Sequence, residues 1–286
     1  MHAGLELARR LEAAEALNGV ACAKAHQRLN PLVGAAMLEV GGGFAIFVGA
    51  ESPLTHAVGL GMRGAVRADE IERMEDFYGA RGATVSVELC PLADASLIEL
   101  LGSRGYRVTE FNNVLVRALT ATEIARAETP VRPANADEEQ LWVRTVGRAF
   151  LEKDDLTPEE MDVGSAIWHL TGSRCYLAFS GGRAGAAGAM SMHAGLATLF
   201  ADGAMLGFRG AGLQSALIRE RLRAAIEEGC DLATAATLSG SVSQRNYERC
   251  GFQVAYTKAI LVRRSISSRR SRRLAPKTAP PRSNPT

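Results

Sequence analysis

An internal repeat is the feature that most constrains how this chain of 286 residues can fold. Two pairs of short segments keep a spacing of 146 residues: Gly105-Tyr106-Arg107-Val108 with Gly251-Phe252-Gln253-Val254, and Leu115-Val116-Arg117 with Leu261-Val262-Arg263. At the same spacing, apolar periodicity predicts a helix and then a strand, at 69–81 and 84–89 in the first copy and at 213–228 and 231–238 in the second. We therefore expect two copies of one α/β fold in tandem.

The other predicted elements alternate between helix and strand. Helical spacing of apolar residues covers 5–40, 95–103, 137–151, 158–170 and 243–250. Short apolar or alternating runs predict strands at 44–48, 57–61, 106–117, 175–179, 184–193, 197–206 and 252–263. This alternation favours a mixed sheet with crossover helices in each copy.

The clearest boundary between the copies is Thr129-Pro130-Val131-Arg132-Pro133, where two prolines interrupt the pattern. We expect one domain over residues 1–123 and a second over residues 134–263. The segment 124–133 is then predicted to be the linker that joins them.

The C-terminal end is strongly basic. From Arg263 to Thr286 the chain has seven arginines, one lysine and no acid, so the net charge of +2 leaves −6 for residues 1–262. With its prolines and little apolar surface, the segment 264–286 is expected to be a disordered basic tail. Contact with nucleic acid or an acidic surface is open as an alternative to a solvated tail.

Composition places the chain among globular proteins of a reducing compartment. Its apolar fraction of 47% with 22% charged residues is ordinary for that class, and no apolar run approaches the ~18 residues of a membrane span. The five cysteines, at positions 22, 90, 175, 230 and 250, are odd in number and show no CxxC spacing. We therefore expect free thiols, no bound metal, no membrane contact and a cytoplasmic location.

A glycine-rich turn in the second copy predicts an anion site. The predicted strand 197–206 leads into Arg209-Gly210-Ala211-Gly212, and a helix begins directly after it. Backbone N–H groups at a helix start have no partner inside the helix, and the helix dipole adds positive potential there. The two glycines carry no Cβ, so a phosphate can approach the backbone. A simple turn is the alternative for this motif.

The second copy resembles the GNAT family of acyl-CoA-dependent N-acyltransferases. The family's pyrophosphate signature, Arg/Gln-x-x-Gly-x-Gly/Ala, is matched by Arg209-Gly210-Ala211-Gly212-Leu213-Gln214 except at the last position. The family's closing motif, Tyr-Glu-Lys-Leu-Gly-Phe, is mirrored by Tyr247-Glu248-Arg249-Cys250-Gly251-Phe252. The resemblance covers roughly residues 130–263, and the first copy looks like a diverged GNAT unit that lacks the signature loop. It implies two tandem GNAT-like domains, each a mixed, mostly antiparallel sheet flanked by helices, with one working site per chain.

The resemblance also implies acetyl-CoA as the cosubstrate and assigns residues to it. Backbone amides of the signature loop would hold the pyrophosphate: Arg209, Gly210, Ala211, Gly212, Leu213, Gln214 and Ser215. The backbone of Ala204, Met205 and Leu206 would pair with the pantetheine arm, in a gap where this strand splays from strand 231–238. The loop 239–243 and Asn246 would contact CoA or the acceptor, with helix capping by Ser241 or Ser243 as the alternative.

By the same resemblance, Tyr247 would protonate the leaving thiolate after an amine attacks the thioester. Core packing is the alternative for this side chain. The general base is open, because Phe200 stands where family members often carry a glutamate. His193 and Asp202 are the candidates, although a histidine at a strand end is often an ordinary surface residue, and Asp202 also fits a bulge or turn that faces solvent. A water chain to bulk solvent is a further alternative.

Three functions are compatible with this sequence. The first is an N-acetyltransferase that moves an acetyl group from acetyl-CoA to a primary amine of a small molecule or amino acid by direct attack. The second is a non-catalytic acyl-CoA-binding or scaffolding protein, suggested by the missing glutamate and the diverged first copy. The third is a nucleic-acid-associated protein that acts through the basic tail. The sequence leaves the acceptor and the oligomeric state open.

Overall fold

The structure is a computed structural model that describes residues 4–120 and 129–263. Its α-helices are α1 (Leu5–Leu29), α2 (Ala68–Gly79), α3 (Ala95–Ser103), α4 (Glu139–Leu151), α5 (Pro158–Trp168), α6 (Leu213–Glu227) and α7 (Val242–Arg249). Its strands are β1 (Ala36–Val40), β2 (Gly43–Phe47), β3 (Ala57–Val58), β4 (Val85–Leu89), β5 (Arg107–Ala118), β6 (Val131–Pro133), β7 (Ser173–Ser180), β8 (Arg183–His193), β9 (Leu196–Ala204), β10 (Leu232–Leu238) and β11 (Gln253–Arg263). The predicted basic tail 264–286 and part of the predicted linker lie outside the described residues.

All these strands form one sheet in which the two copies exchange their last strands. The strand order is β1-β2-β3-β4-β11-β5-β10-β9-β8-β7-β6. The final strand of the second copy, β11, pairs antiparallel with β4 of the first copy, and β5 of the first copy pairs antiparallel with β10 of the second. The central pair of the sheet is β5 with β11, again antiparallel. The predicted α/β fold of two copies with a mixed, mostly antiparallel sheet is confirmed, in an interlocked form.

Helices cover both faces of this sheet. Leu217, Ile218 and Leu222 of α6 pack on the sheet of the second copy, and α2 and α3 pack in the same way on the first. On the opposite face, Leu11 and Ala14 of α1 pack near the start of β9 and β10. The long helix α1 therefore bridges strands of both copies, and its burial fixes them together by the hydrophobic effect.

Two elements differ from the sequence expectation. The helix predicted over residues 5–40 ends at Leu29, and Ala36–Val40 is the edge strand β1. Asn30 and Pro31 explain the stop, because the residue before a proline is disfavoured in the helical conformation. The second difference is β6, which pairs with β7 although it lies in the segment predicted as a linker.

A buried cluster of charges holds α1 against the exchanged strand. Lys258 on β11 is 1% exposed, and its Nζ lies 3.1 Å from Glu12 Oε1 and 3.2 Å from Glu88 Oε2 and contacts Glu15 Oε2. The Tyr256 hydroxyl donates to Glu12 Oε1 over 2.7 Å. Although burial disfavours the charged form, the three carboxylates hold the pKa of Lys258 well above its usual value. These groups join α1, β4 and β11 from the two copies.

Candidate active site

A gap opens in the sheet between β9 and β10. The two strands are parallel neighbours over only three pairs, from Leu232–Leu196 to Thr234–Thr198. Beyond them β10 continues to Leu238 paired with β5, while β9 continues to Ala204 paired with β8. The two strands therefore diverge towards the glycine-rich loop, which is the splay that the family resemblance implies.

The loop after β9 presents unpaired backbone amides to this gap. Gly210 and Gly212 have φ values of +81° and +72°, which suit glycine, and a Cβ built on either residue meets no atom within 4 Å. The first bond of α6 runs from the Ala216 N–H to the Gly212 carbonyl over 3.0 Å. No described residue accepts a hydrogen bond from the amides of residues 210–215. Six donors at the positive end of a helix thus have no acceptor among the described residues, as an anion site requires.

The backbone of Met205 and Leu206 is largely engaged inside the protein. The Met205 N–H donates to the Gly185 carbonyl over 3.0 Å, and the Met205 carbonyl accepts from the Phe208 N–H over 2.9 Å. The Leu206 carbonyl accepts from the Arg209 N–H over 3.3 Å. These bonds close the short turn that precedes the loop. The Met205 N–H and the carbonyls of both residues are therefore already paired, and the two residues position the loop rather than bind a ligand through these groups.

Ala204 is the member of the predicted pantetheine-binding trio that faces the gap. The backbone N–H and C=O groups of successive strand residues point to opposite edges of the strand. Because the Met205 N–H donates to Gly185 of β8, the backbone groups of Ala204 point away from β8, to the side of the gap. Arg209 lies beside Ala204, with its Nε 3.4 Å from the Ala204 carbonyl. Arg209 Nη2 also pairs with Glu152 Oε1 over 2.7 Å, where both side chains are about half exposed. The guanidinium is therefore held near the loop by the end of α4.

A buried polar cluster lies beneath the gap and ties β9 to α6 and α7. The Tyr247 hydroxyl donates to Asp202 Oδ1 over 2.6 Å, and Gln214 Nε2 donates to Asp202 Oδ2 over 3.0 Å. Arg221 Nη2 lies 3.3 Å from Asp202 Oδ2, with the Arg221 side chain 0% and the Asp202 side chain 5% exposed. The structure thus brings Tyr247 and Asp202 together, around an arginine that the sequence prediction did not include.

A β-bulge explains why Asp202 is buried. The pairing of β8 with β9 shifts register between Ala187 and Ala189, and Ala201 adopts a φ of +49°. The extra residue turns the Asp202 side chain to the face that carries α6. The sequence allowed a carboxylate facing solvent, and the structure shows instead an ion pair in the interior.

Burial dominates the electrostatics of Tyr247. Its side chain is 1% exposed and meets the Phe252 ring edge-to-face at 5.0 Å. Burial, followed by the neighbouring Asp202 charge, raises the pKa of the phenol well above its usual value. Burial alone would lower the pKa of Arg221, but the Asp202 carboxylate raises it on balance. Tyr247 therefore keeps its proton at any physiological pH.

Amide side chains connect this cluster to the start of α7. Gln214 Nε2 donates to Ser243 Oγ over 3.0 Å, and Asn246 Nδ2 donates to Gln214 Oε1 over 2.8 Å. Ser241, one of the two predicted caps, caps α7, because its hydroxyl accepts from the Gln244 N–H over 3.1 Å. Asn246 and Gln214 are thus half-buried partners at the edge of the loop, and Ser215 is half-buried beside them.

His193 is not brought to this cluster. It is the exposed last residue of β8 and pairs with Leu196 at the start of β9. Asp202 lies six residues further along β9, which corresponds to about 20 Å at the usual rise of a strand. His193 therefore lies at the end of β9 opposite the loop.

The corresponding loop of the first copy is closed. Asp94 N–H donates to the Gly61 carbonyl over 2.9 Å, so the chain after β3 is bonded to the chain after β4. At the start of α2, Glu70 accepts from the Arg67 N–H over 3.0 Å, and Ser96 Oγ accepts from the Val66 N–H over 2.8 Å. The Val66 and Arg67 amides are therefore occupied, and the Glu70 carboxylate stands at the helix start, which disfavours a phosphate there.

Sequence reasoning missed Arg221 and Gly185. Arg221 lies within the apolar side of α6, four residues after Leu217 and four before Ala225, and a charge at that position was the available signal. A Cβ on Gly185 would come within 2.5 Å of Phe208 and 2.7 Å of Leu213. Glycine is required at position 185 because of this close contact with the loop, which cannot be seen from the sequence.

Comparison with known proteins identifies the fold. No family model and no curated protein sequence matches the chain. A GCN5-related N-acetyltransferase from Kribbella flavida superposes with a TM-score of 0.60, at 19% identity, over 85% of this chain and 95% of that chain. This chain has the GNAT fold. The resemblance inferred from two sequence motifs is confirmed at the level of the fold.

Two further GNAT structures are similar. A tandem GNAT protein from the clavulanic acid biosynthesis pathway matches 84% of this chain and 86% of that chain, with a TM-score of 0.56 and 12% identity. A GCN5-related N-acetyltransferase from Sphaerobacter thermophilus matches 68% of this chain and 66% of that chain, with a TM-score of 0.52 and 16% identity. The tandem GNAT match agrees with the two copies seen here.

Two features are absent from residues 4–120 and 129–263. No helix there has the length and apolar character of a membrane span. No three His, Cys, Asp or Glu side chains in those ranges are grouped so that they could hold a metal ion.

Proposed function

We propose that this protein is a cytoplasmic N-acetyltransferase that moves an acetyl group from acetyl-CoA to a primary amine of a small molecule or amino acid. The observation that carries the proposal is the gap between β9 and β10, which ends at six unpaired amides of the loop 210–215. A pyrophosphate on those amides would direct the pantetheine arm along Ala204 into the gap. The closed loop of the first copy supports a single donor site per chain.

In the proposed reaction the amine nitrogen attacks the thioester carbonyl carbon directly. A C–N bond forms, the C–S bond breaks, and CoA leaves as a thiolate that takes up one proton. The attacking nitrogen loses one proton through water to bulk solvent, because we assign no side chain in the described part of the chain to accept it. Tyr247 is the proposed proton donor, because its phenol is protonated at all working pH values and lies on the helix beside the gap.

We assign Asp202 a positioning role rather than that of the base. Its carboxylate is ion-paired with the fully buried Arg221 and accepts hydrogen bonds from Tyr247 and Gln214. A carboxylate with these partners orients the phenol and fixes α6 and α7 around the gap. His193 lies at the end of β8, beside the start of β9 and away from the loop, and it has no role in this proposal.

A second function, non-catalytic binding of acyl-CoA, is favoured by one specific observation. The Tyr247 hydroxyl already donates to Asp202, so the protein has to give up that bond before the phenol can serve a thiolate. The anion-binding loop would remain functional in such a binding protein. The nucleic-acid hypothesis depends on the tail outside the described residues.

Donor binding is tested with the full chain by calorimetry with acetyl-CoA. We expect Gly212→Glu to weaken binding at least about tenfold, because it places a carboxylate at the loop. Gly229→Glu is the matched control: Gly229 follows the other end of α6, has a φ of +77°, and a Cβ there meets nothing within 4 Å. No binding by folded wild-type protein, or equal loss in both variants, would reject the donor site.

Turnover separates the two functions. Release of free CoA thiol is followed with acetyl-CoA and a panel of primary amines, amino acids included. Thiol release that depends on an amine, with matching acetylated product by mass spectrometry, supports the transferase. Tight acetyl-CoA binding without any amine-dependent release across the panel supports the non-catalytic protein.

A further inference from the structure

A groove beside the loop collects three arginines that the donor site does not use. Its volume is about 370 Å³, and it lies between α4 and the tip of the β7–β8 hairpin. The lining includes three basic and three apolar side chains: Arg144, Arg148, Arg183, Leu141, Phe179 and Met205. Arg144 and Arg148 are one helical turn apart on α4, so their side chains project from the same face.

These three guanidinium groups have no carboxylate partner. Among the described residues, no Asp or Glu oxygen lies within 4 Å of Arg144, Arg148 or Arg183. Arg148 Nε donates to the Asp154 backbone carbonyl over 2.9 Å, and Arg183 lies over the Phe208 ring at 5.6 Å. Both interactions orient the side chains without neutralising their charge.

The neighbouring arginines show the opposite arrangement. Arg132 pairs with Glu138 over 2.6 Å, and Arg209 pairs with Glu152 over 2.7 Å. Like charges one turn apart also destabilise a helix, so the Arg144–Arg148 pair works against folding. Residues 1–262 carry a net charge of −6, and a cluster of three positive charges in such a body creates a strong local field for anions.

We propose that this groove binds a phosphate monoester carried on a planar or apolar body. Guanidinium groups bind phosphate through paired N–H donors, and a phosphate monoester carries close to two negative charges at neutral pH. Phe179, Leu141 and Met205 form the apolar wall for the body that carries the phosphate. The three arginines therefore match the charge of the phosphate, and the apolar wall matches the surface of the body that carries it.

Two sources can supply such a group. The groove reaches the loop through Met205 and through Phe208 beneath Arg183, so the 3′-phosphate of bound acetyl-CoA is one source. A separate phosphorylated small molecule is the other. The first source rests on the proposed donor site, whereas the second is independent of it.

The test is calorimetry on the full chain with three probes: acetyl-CoA, acetyl-dephospho-CoA, which lacks the 3′-phosphate, and phenyl phosphate. The groove variant is Arg144→Ala/Arg183→Ala. Arg107→Ala is the charge control, because Arg107 is exposed on β5 in the other half of the sheet. Melting temperatures confirm that each variant is folded, which is expected for exposed arginines.

We expect the groove variant to lose at least about tenfold in affinity for a phosphate-bearing probe, while Arg107→Ala does not.

If acetyl-CoA binds more tightly than acetyl-dephospho-CoA and the groove variant removes the difference, the phosphate belongs to the donor. If phenyl phosphate binding is lost and the two coenzymes bind alike, the ligand is a separate molecule. Phenyl phosphate binding without any coenzyme binding would reject the donor site and retain the groove. Equal affinities in wild type and groove variant for all probes, or the same loss in Arg107→Ala, would overturn the proposal.

Discussion

The hydroxyl of Tyr247 and the carboxylate of Asp202 form a 2.6 Å hydrogen bond in the interior, directly below the gap in the sheet. We predict that Tyr247→Phe lowers kcat by about 100-fold or more, as expected for loss of a general acid. Acetyl-CoA affinity should change less than about twofold. The lost hydrogen bond to a charged acceptor should cost about 1.5–3 kcal/mol of stability, measured by urea unfolding.

Tyr256→Phe is a matched control for this variant. Tyr256 donates to the buried Glu12 carboxylate over 2.7 Å, and it lies on β11, which β5 separates from β10. The control should show a comparable stability cost and an unchanged kcat. A Tyr247→Phe enzyme with wild-type kcat would leave Tyr247 with a structural role only.

The ion pair of Asp202 with Arg221 leads to a second prediction. Asp202→Asn leaves a fully buried guanidinium without its counter-charge, which should destabilise the protein by about 3–5 kcal/mol. The double variant Asp202→Asn/Arg221→Met removes both charges and should recover most of that loss. Urea unfolding of the two single variants and the double variant measures the coupling. Additive losses in the double variant would contradict a direct pair.

Gly185 gives a third prediction, about the loop. In Gly185→Ala the new Cβ would lie 2.5 Å from the Phe208 ring and 2.7 Å from a Leu213 methyl group, so these two side chains of the turn and of α6 have to move. We expect acetyl-CoA affinity to fall about tenfold, with a stability cost of about 1–3 kcal/mol from overpacking. Gly207→Ala in the same turn is the control, since nothing lies within 4 Å of its Cβ position. Calorimetry showing equal affinities for both variants would reject this role.

The charge cluster around Lys258 predicts a pH dependence of stability. Burial raises the pKa of the Glu15 carboxyl from 4.5 to about 8, against the opposing effect of Lys258. The folded protein therefore holds a proton that the unfolded chain releases, and the free energy of unfolding should fall as pH rises from about 4.5 to 8. One such group contributes at most about 1.4 kcal/mol per pH unit.

Glu88 in the same cluster acts in the opposite direction at lower pH. Burial alone would raise the pKa of Glu88, but Lys258 lowers it to about 2, so its stabilising contribution is lost as pH falls from 4.5 towards 2. Urea unfolding of wild type and Glu15→Gln at pH 5, 6, 7 and 8 checks the Glu15 term. The variant should show a flatter profile, and identical slopes in the two proteins would contradict it.

The strand exchange predicts that the two halves depend on each other. Each of the fragments 1–123 and 124–286 lacks the strand that its partner supplies to its half of the sheet. We expect each fragment alone to aggregate or unfold, because an unpaired strand edge is exposed. Mixed after co-expression, they should form a 1:1 complex by light scattering that binds acetyl-CoA like the full chain. A stable, monomeric fragment 124–286 that binds acetyl-CoA would contradict this prediction.

Most elements could be predicted from the sequence because their periodicity is strong. The predicted helix Ala95–Ser103 has the bounds that the structure shows, and the strand Leu232–Leu238 begins one residue after the predicted range 231–238. The strand Ala36–Val40 lies in the range 5–40 that is predicted to be helical, because Ala, Met and Leu favour helices and this edge strand is only half-buried. Its identity comes from pairing with β2, which is a tertiary contact.

The exchange of β5 and β11 could not be predicted. The two strands occupy equivalent positions in the repeat, so each fits beside its own copy or the other copy with the same alternation of apolar residues. The orientation of Asp202 was hidden for a related reason. One bulge residue, Ala201, reverses which face of the strand the following side chain occupies. The alternation of apolar residues in the sequence does not reveal such a bulge.

The interlocked sheet also has a consequence for synthesis on the ribosome. β5 ends at residue 118, yet its neighbour β11 ends only at residue 263, after 145 more residues have been made. At 5–20 residues per second this interval is roughly 7–30 s. During that time β4 and β5 lack the strand that lies between them in the folded protein, so the first copy cannot reach its final sheet ahead of the second. The nascent chain is thus exposed to aggregation and chaperone capture until β11 has been made, and the pairing of β11 with β4 and β5 ends this exposure.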